Sequence, residues 1–123
     1  MCVFCELSSS KKVIFEDEYC YAVYDINPAS KGHCLVISKR HVETYFDLTK
    51  EEMQSMFLMS KKIKEMLDER YHPLGYNVGF NVKHAGGQTI MHAHMHIIPR
   101  YGDNPKVIYK GIRSLKPSEK IDK

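Results

Sequence analysis

The run His92-Ala93-His94-Met95-His96 sets three imidazoles at alternate positions of one short stretch. In extended backbone, residues i, i+2 and i+4 share a face. The three histidines therefore point one way, and Met91, Ala93, Met95 and Ile97 point the other way, toward an apolar core. Same-face neighbours on a strand stand ~6.6–6.8 Å apart and the outer pair ~13 Å. Two neighbours can share a metal, but three on a straight strand cannot, so the row must divide its labour. Three readings are open at this point: surface histidines without a role, a catalytic zinc held by two of them and a further ligand, or nucleophilic catalysis by His94. Imidazole suits the last, because a pKa near ~6.5 leaves a nitrogen lone pair at neutral pH. A phosphorylated imidazole is also a good leaving group, which splits one hard displacement into two easier ones.

A second chemical signal is Cys2-x-x-Cys5, whose spacing lets two thiolates reach one ion. A redox pair is the other use of this motif, but no βαβ pattern follows it. Tetrahedral closure needs two more ligands, and His41 and His92 are the candidates. A closed four-ligand zinc has no open position and is structural.

Several elements must position these residues. Lys12 to Glu16 reads as a strand, Asp17-Glu18 as a turn, Tyr19 to Asp25 as a second strand and His33 to Ser38 as a third. Asn27 to Gly32 is loop chemistry. Thr49 to about Tyr71 is a helix, opened by a Thr49/Glu52 capping box and stopped at His72-Pro73. Met53, Met56, Phe57, Ser60, Ile63 and Leu67 recur at helical spacing and predict its buried face. Tyr76 to Val82 and Thr89 to Pro99 read as the fourth and fifth strands, with a Gly-containing loop between them. Strands around one long helix with short links predict an α+β fold with a mostly antiparallel sheet, and exclude a Rossmann-type alternation.

The bulk numbers agree with one soluble domain. The chain has 123 residues, 43% hydrophobic and 27% charged. A formal net charge of +3 is too small to imply nucleic-acid wrapping. No run approaches the ~18 apolar residues of a membrane span, and the N-terminus has no signal-peptide pattern. A cytoplasmic location is the default, and the four cysteines read as thiols or metal ligands. Residues 1–113 are expected to form the domain. Residues 114–123 are expected to be a basic, solvated tail. Cys20 and Cys34 fall in strands with no assigned role.

The stretch from Gly87-Gln88-Thr89 through the histidine run to Pro99-Arg100 resembles the signature of the histidine triad (HIT) superfamily. The likeness extends to Cys2 through Cys5, Phe15-Glu16-Asp17, Tyr24-Asp25-Ile26 and Lys31-Gly32-His33 through His41, covering about residues 2–101. It is closest to the small bacterial-type hydrolases and the histidine triad nucleotide-binding proteins. The resemblance implies a five-stranded, mostly antiparallel sheet with one long and one short helix, continued across a homodimer. It implies a purine-nucleotide site and hydrolysis or transfer at the α-phosphorus, with release of a nucleoside 5′-monophosphate. His94 resembles the nucleophile that forms a nucleotidyl-histidine, and His96 the residue that bonds phosphate oxygens. Asp25 resembles the ribose acceptor, and Val3, Phe4, Leu7, Val23 and Ile26 the slot for the base. Asn81, Gly87, Gln88 and Thr89 resemble the phosphate-side contacts, with Gln88 placed beside the reaction. Cys2, Cys5, His41 and His92 sit where zinc-containing members hold a structural Zn2+. Two features depart from the pattern: Lys83 and His84 stand where a glycine is often found, and residues 101–109 replace a Gly-rich continuation on the leaving-group side. Nucleoside phosphoramidates, dinucleoside polyphosphates and adenylylated lysine remain candidate substrates. A nucleotide-binding regulator with weak residual hydrolysis, and a zinc-dependent hydrolase, are the alternatives.

Overall fold

The structure is a computed structural model and describes residues 2–102. The expected basic tail, 114–123, lies outside the described residues. In chain order the elements are α1 (Val3–Leu7), β1 (Phe15–Glu16), β2 (Cys20–Tyr24), β3 (Cys34–Ser38), α2 (Lys50–Tyr71), β4 (Gly75–Phe80) and β5 (His94–Arg100). Short 3-10 turns cover Tyr45–Asp47 and His84–Gly86. The sheet order is β1-β2-β3-β5-β4, with antiparallel pairing throughout. This is the expected α+β class, with one long and one short helix. Among the described residues, no helix is long and apolar enough to cross a membrane.

Strand alternation divides the core in two. Cys20, Ala22, Cys34, Val36, Met95 and Ile97 face α2 and pack on Met56, Met59, Ile63 and Leu67. Tyr21, Val23, Leu35 and Ile37 face the other way and pack on Phe4 of α1. Cross-strand register sets Leu35 opposite His96 and Ile37 opposite His94. The catalytic candidates therefore stand on the α1 side, where, among the described residues, a five-residue helix is the cover on the sheet. That thin cover leaves room for a cavity.

Helix α2 starts as its sequence predicts. Thr49 Oγ1 accepts from Glu52 N at 3.1 Å, and Thr49 N donates to Glu52 Oε1 at 2.8 Å, which satisfies two N–H groups that the helix itself cannot. The same Glu52 carboxylate is held below the usual carboxylate range, first by its hydrogen bond from Arg40. The buried face differs from the expected one. It runs through Glu52, Ser55, Met56, Met59, Ile63 and Leu67. Met53 and Ser60 are half-buried, and Phe57 is exposed beneath the Lys61 ammonium. The apolar sequence pattern was satisfied by two adjacent stripes, and contact with β2, β3 and β5 selects the one containing Met59.

Strand boundaries also move. β1 is confined to residues 15–16, because a turn bonding Val13 N to Ser10 O occupies the start of the expected strand. β4 ends at Phe80 rather than residue 82. Gly32 (φ +92°) turns the chain into β3, and a Cβ there would meet Leu67 and Tyr71 at 3.1 Å. This tight turn delivers His33 into the sheet.

Candidate active site and metal centre

The largest correction concerns the histidine row. β5 begins at His94, so His92 is not part of a regular strand. Residues 90–93 bend: His92 N donates to Ile90 O, and Ala93 N donates to Val42 O. His94 and His96 keep the alternation, with ring centroids 5.0 Å apart.

His92 turns toward α1 and His41. Its Nε2 bonds the Ser38 carbonyl at 2.7 Å. A carbonyl can only accept, so Nε2 carries the proton and Nδ1 holds the lone pair. That Nδ1 lies 3.3 Å from Cys2 Sγ, 3.6 Å from Cys5 Sγ and 3.2 Å from His41 Nδ1, and Cys5 Sγ lies 3.1 Å from His41 Nδ1. All four ligand atoms fall within 4.8 Å of one another. A tetrahedral zinc with ~2.3 Å sulfur and ~2.0–2.1 Å nitrogen bonds has S···N and N···N edges of about 3.3–3.6 Å. The donor set and its spacing fit that ion. Burial first, and then the His41 and His94 imidazoles, hold the His92 pKa below its usual value, against the opposing Ser38 bond. The neutral form is the one a metal requires.

His94 is oriented in the same manner. Its Nδ1 bonds the His92 carbonyl at 2.7 Å. The proton is therefore on Nδ1 and the lone pair on Nε2. His96 is set by a longer chain. Ala29 N donates to His33 Nδ1 at 2.9 Å, so the His33 proton is on Nε2. His33 Nε2 lies 3.0 Å from His96 Nδ1 and 3.4 Å from Asp25 Oδ2. His33 donates, His96 Nδ1 accepts, and His96 Nε2 becomes an N–H donor. One imidazole thus offers a lone pair and its neighbour a proton, which is the division needed to attack an anion and hold its oxygens.

A cavity of about 510 Å³ adjoins both rings. Val3, Phe4 and Leu7 of α1, with Val23 and Ile26, supply apolar lining, and Asp25 lines the cavity too. The Phe4 ring meets His94 edge-on at 4.9 Å. Gly87 and Thr89 also line it. Ten of the twelve residues expected on the substrate side line this cavity. Two do not reach its wall. Gln88 is buried, and its amide bonds Lys83 N, Glu43 O and Ile90 O, while Asn81 bonds Gly87 O at 3.5 Å. Both shape the loop behind the wall. In that loop Lys83 holds φ +63°, a conformation that favours glycine, and bonds from Gln88 and Gly86 keep it there.

Sequence reasoning missed Lys12, Tyr24, Asn27, Leu35 and Ile90 in the cavity wall, and gave no role to His33. Alternation along β3 carried the signal for two of them: His33 and Leu35 are in phase with each other, and Leu35 pairs with His96.

The HIT domain model matches residues 6–103. An uncharacterised HIT-like protein of Methanocaldococcus jannaschii is 38% identical over 90% of this chain and 88% of that protein. A bis(5′-adenosyl)-triphosphatase of Dictyostelium discoideum is 34% identical over 76% of this chain and 63% of that protein. The crystal structure of a Zn-bound histidine triad family protein from Mycobacterium smegmatis superposes with a TM-score of 0.76 at 29% identity, covering 96% of this chain and 84% of that one. With the match spanning the sheet, the bent approach to β5 and the paired imidazoles on it, the chain belongs to the histidine triad family.

Proposed function

We propose that this chain is a hydrolase or transferase acting at the α-phosphorus of purine-nucleotide conjugates through a covalent His94 intermediate. The observation that carries this reading is the His94 Nδ1 bond to the His92 carbonyl, which leaves the lone pair on Nε2 beside a cavity lined by apolar side chains and the Asp25 carboxylate. The base packs against Phe4 and Val23, and Asp25 accepts from the ribose hydroxyls. His94 Nε2 attacks phosphorus, forming a P–N bond as the P–O or P–N bond to the leaving group breaks. His96 Nε2–H and Thr89 hold the phosphate oxygens. Gln88 supports the loop that carries Thr89. Water then attacks the same phosphorus, the P–N bond to His94 breaks, and a nucleoside 5′-monophosphate leaves. The triphosphatase name of the Dictyostelium relative supports this reaction class. Incubation with a nucleoside phosphoramidate, a dinucleoside polyphosphate and an adenylylated lysine tests it. At least one should release the 5′-monophosphate with kcat/KM of ~10⁴ M⁻¹s⁻¹ or more. Values far below that for all three would favour a nucleotide-binding role over catalysis.

Cys2, Cys5, His41 and His92 would hold one structural zinc, tying the N-terminus to the approach of β5. The Zn-bound M. smegmatis relative supports this assignment. Zinc thiolates suit a reducing cytoplasm. Among the described residues the sheet ends in β4, whose Val78 is exposed, and this edge is proposed to pair with a second copy in a homodimer. Elemental analysis should return about one zinc per chain for a closed four-ligand site, and sedimentation equilibrium a dimer mass. Near-zero zinc removes the first assignment, and a monomer mass removes the second.

A further inference from the structure

Cys2 caps the N-terminus of α1 and Cys5 lies one turn along it. Their sulfurs are within 4.8 Å of each other. From there, side-chain rotation and a slight tightening of the turn bring two sulfurs to bonding distance. Cys5 is exposed and Cys2 half-buried, so a small oxidant reaches the pair. The other two cysteines are enclosed between sheet and α2, where burial pushes each thiol up to about 12. They are inert by comparison.

The pair also flanks the residue that builds the cavity. Phe4 lies between the two cysteines in sequence, is buried, and touches both His92 and His94 with its ring edge or face. Helix α1 has five residues. Its ties to the sheet include the packing of Phe4 and Leu7, the Tyr21 hydroxyl bond to the Phe4 carbonyl, and the contacts of the two sulfurs with His41 and His92. A helix this short has little stability of its own.

We propose that Cys2 and Cys5 are a redox modification site, at which a peroxide closes a disulfide that loosens α1 from the nucleotide cavity. One sulfur attacks peroxide oxygen and becomes a sulfenic acid, releasing water. The second sulfur attacks that sulfenic sulfur, the S–S bond forms and a second water leaves. Overall, two thiols and one H2O2 give one disulfide and two waters. The sulfurs lose two electrons and the peroxide gains them. Where the thiolates hold zinc, the same exchange takes two protons from solvent and frees Zn2+. The oxidised sulfurs no longer bond His41 and His92 as thiols or as ligands, and α1 keeps only the packing of Phe4 and Leu7 and the Tyr21 bond. The Val3, Phe4 and Leu7 wall then opens.

The nucleotide readout rests on the reading of the cavity given above, but the motion of α1 does not. The test uses the full chain, with zinc content measured first. After H2O2 treatment, alkylation and peptide mass should show a Cys2–Cys5 disulfide with Cys20 and Cys34 unmodified. Amide exchange at residues 3–7 should quicken by about tenfold, and the Kd for AMP should rise by about tenfold. Dithiothreitol should reverse all three, and Cys5→Ser should show none of them on peroxide treatment. The proposal is overturned if both thiols stay alkylatable, or if the disulfide forms and exchange of α1 does not change. A reduced protein that binds no AMP while α1 still responds supports the redox site and sinks only the nucleotide reading. Absent zinc with the same response likewise removes only the metal assignment.

Discussion

Replacing His94 with asparagine should lower kcat for a cleaved nucleotide conjugate by about 10³-fold or more, while the Kd for AMP stays within about threefold. The reason is local. His94 Nδ1 is committed to the His92 carbonyl, so the chemistry of this residue resides in Nε2. Asparagine can keep a donor to that carbonyl but has no nucleophilic nitrogen. The slot formed by Phe4, Val23 and Leu35 is untouched, so nucleotide binding persists. Single-turnover kinetics with product identification, alongside calorimetric AMP titration, would measure the two effects separately. Wild-type turnover by His94→Asn would refute the covalent mechanism. Loss of binding in step with turnover would show that the imidazole contributes uniformly to affinity instead.

The second large effect should come from His33→Ala. The ring is fully buried and joins three groups: it accepts from Ala29 N, donates toward His96 and lies beside Asp25. Truncation leaves a void and strips partners from Ala29 N and His96 Nδ1. A buried polar group without its partner costs ~1–3 kcal/mol, and urea unfolding should show a loss of about 2–4 kcal/mol once the cavity is included. Activity should fall for a separate reason. Without a donor on Nδ1, His96 can take the other tautomer, which removes the N–H that faces phosphate oxygens. At a temperature where both proteins are folded, kcat should drop by about 10–100-fold while KM changes little, the signature of a group acting at the transition state. A stability loss with unchanged kcat would reduce His33 to a packing role.

The amino-acid sequence by itself determined the antiparallel α+β class, the Thr49/Glu52 start of α2 and the pairing of His94 with His96 on one face, and it offered Cys2, Cys5, His41 and His92 as candidate ligands. These are local matters. Alternation follows from strand geometry, capping from side chains three residues apart, and the choice of candidate ligands from donor type, although only the fold brings Cys2 and Cys5 to His41 and His92. Tertiary structure alone decided the rest. The buried stripe of α2 ran through Met59 rather than Phe57, because both stripes were apolar and only the sheet could choose. His92 left the strand, because the backbone from Ile90 to Ala93 bonds to itself and to Val42, a residue 51 positions away from Ala93 by number. Gln88 lies outside the cavity lining for the same kind of reason: its amide meets the backbone of Glu43 and Lys83. His33 entered the site through its bond to His96, 63 residues along the chain. In the histidine run, residue spacing determined which imidazoles share a face. Which nitrogen of each carries the proton depended on carbonyls and amides brought from elsewhere, because a tautomer is set by its hydrogen-bond partner.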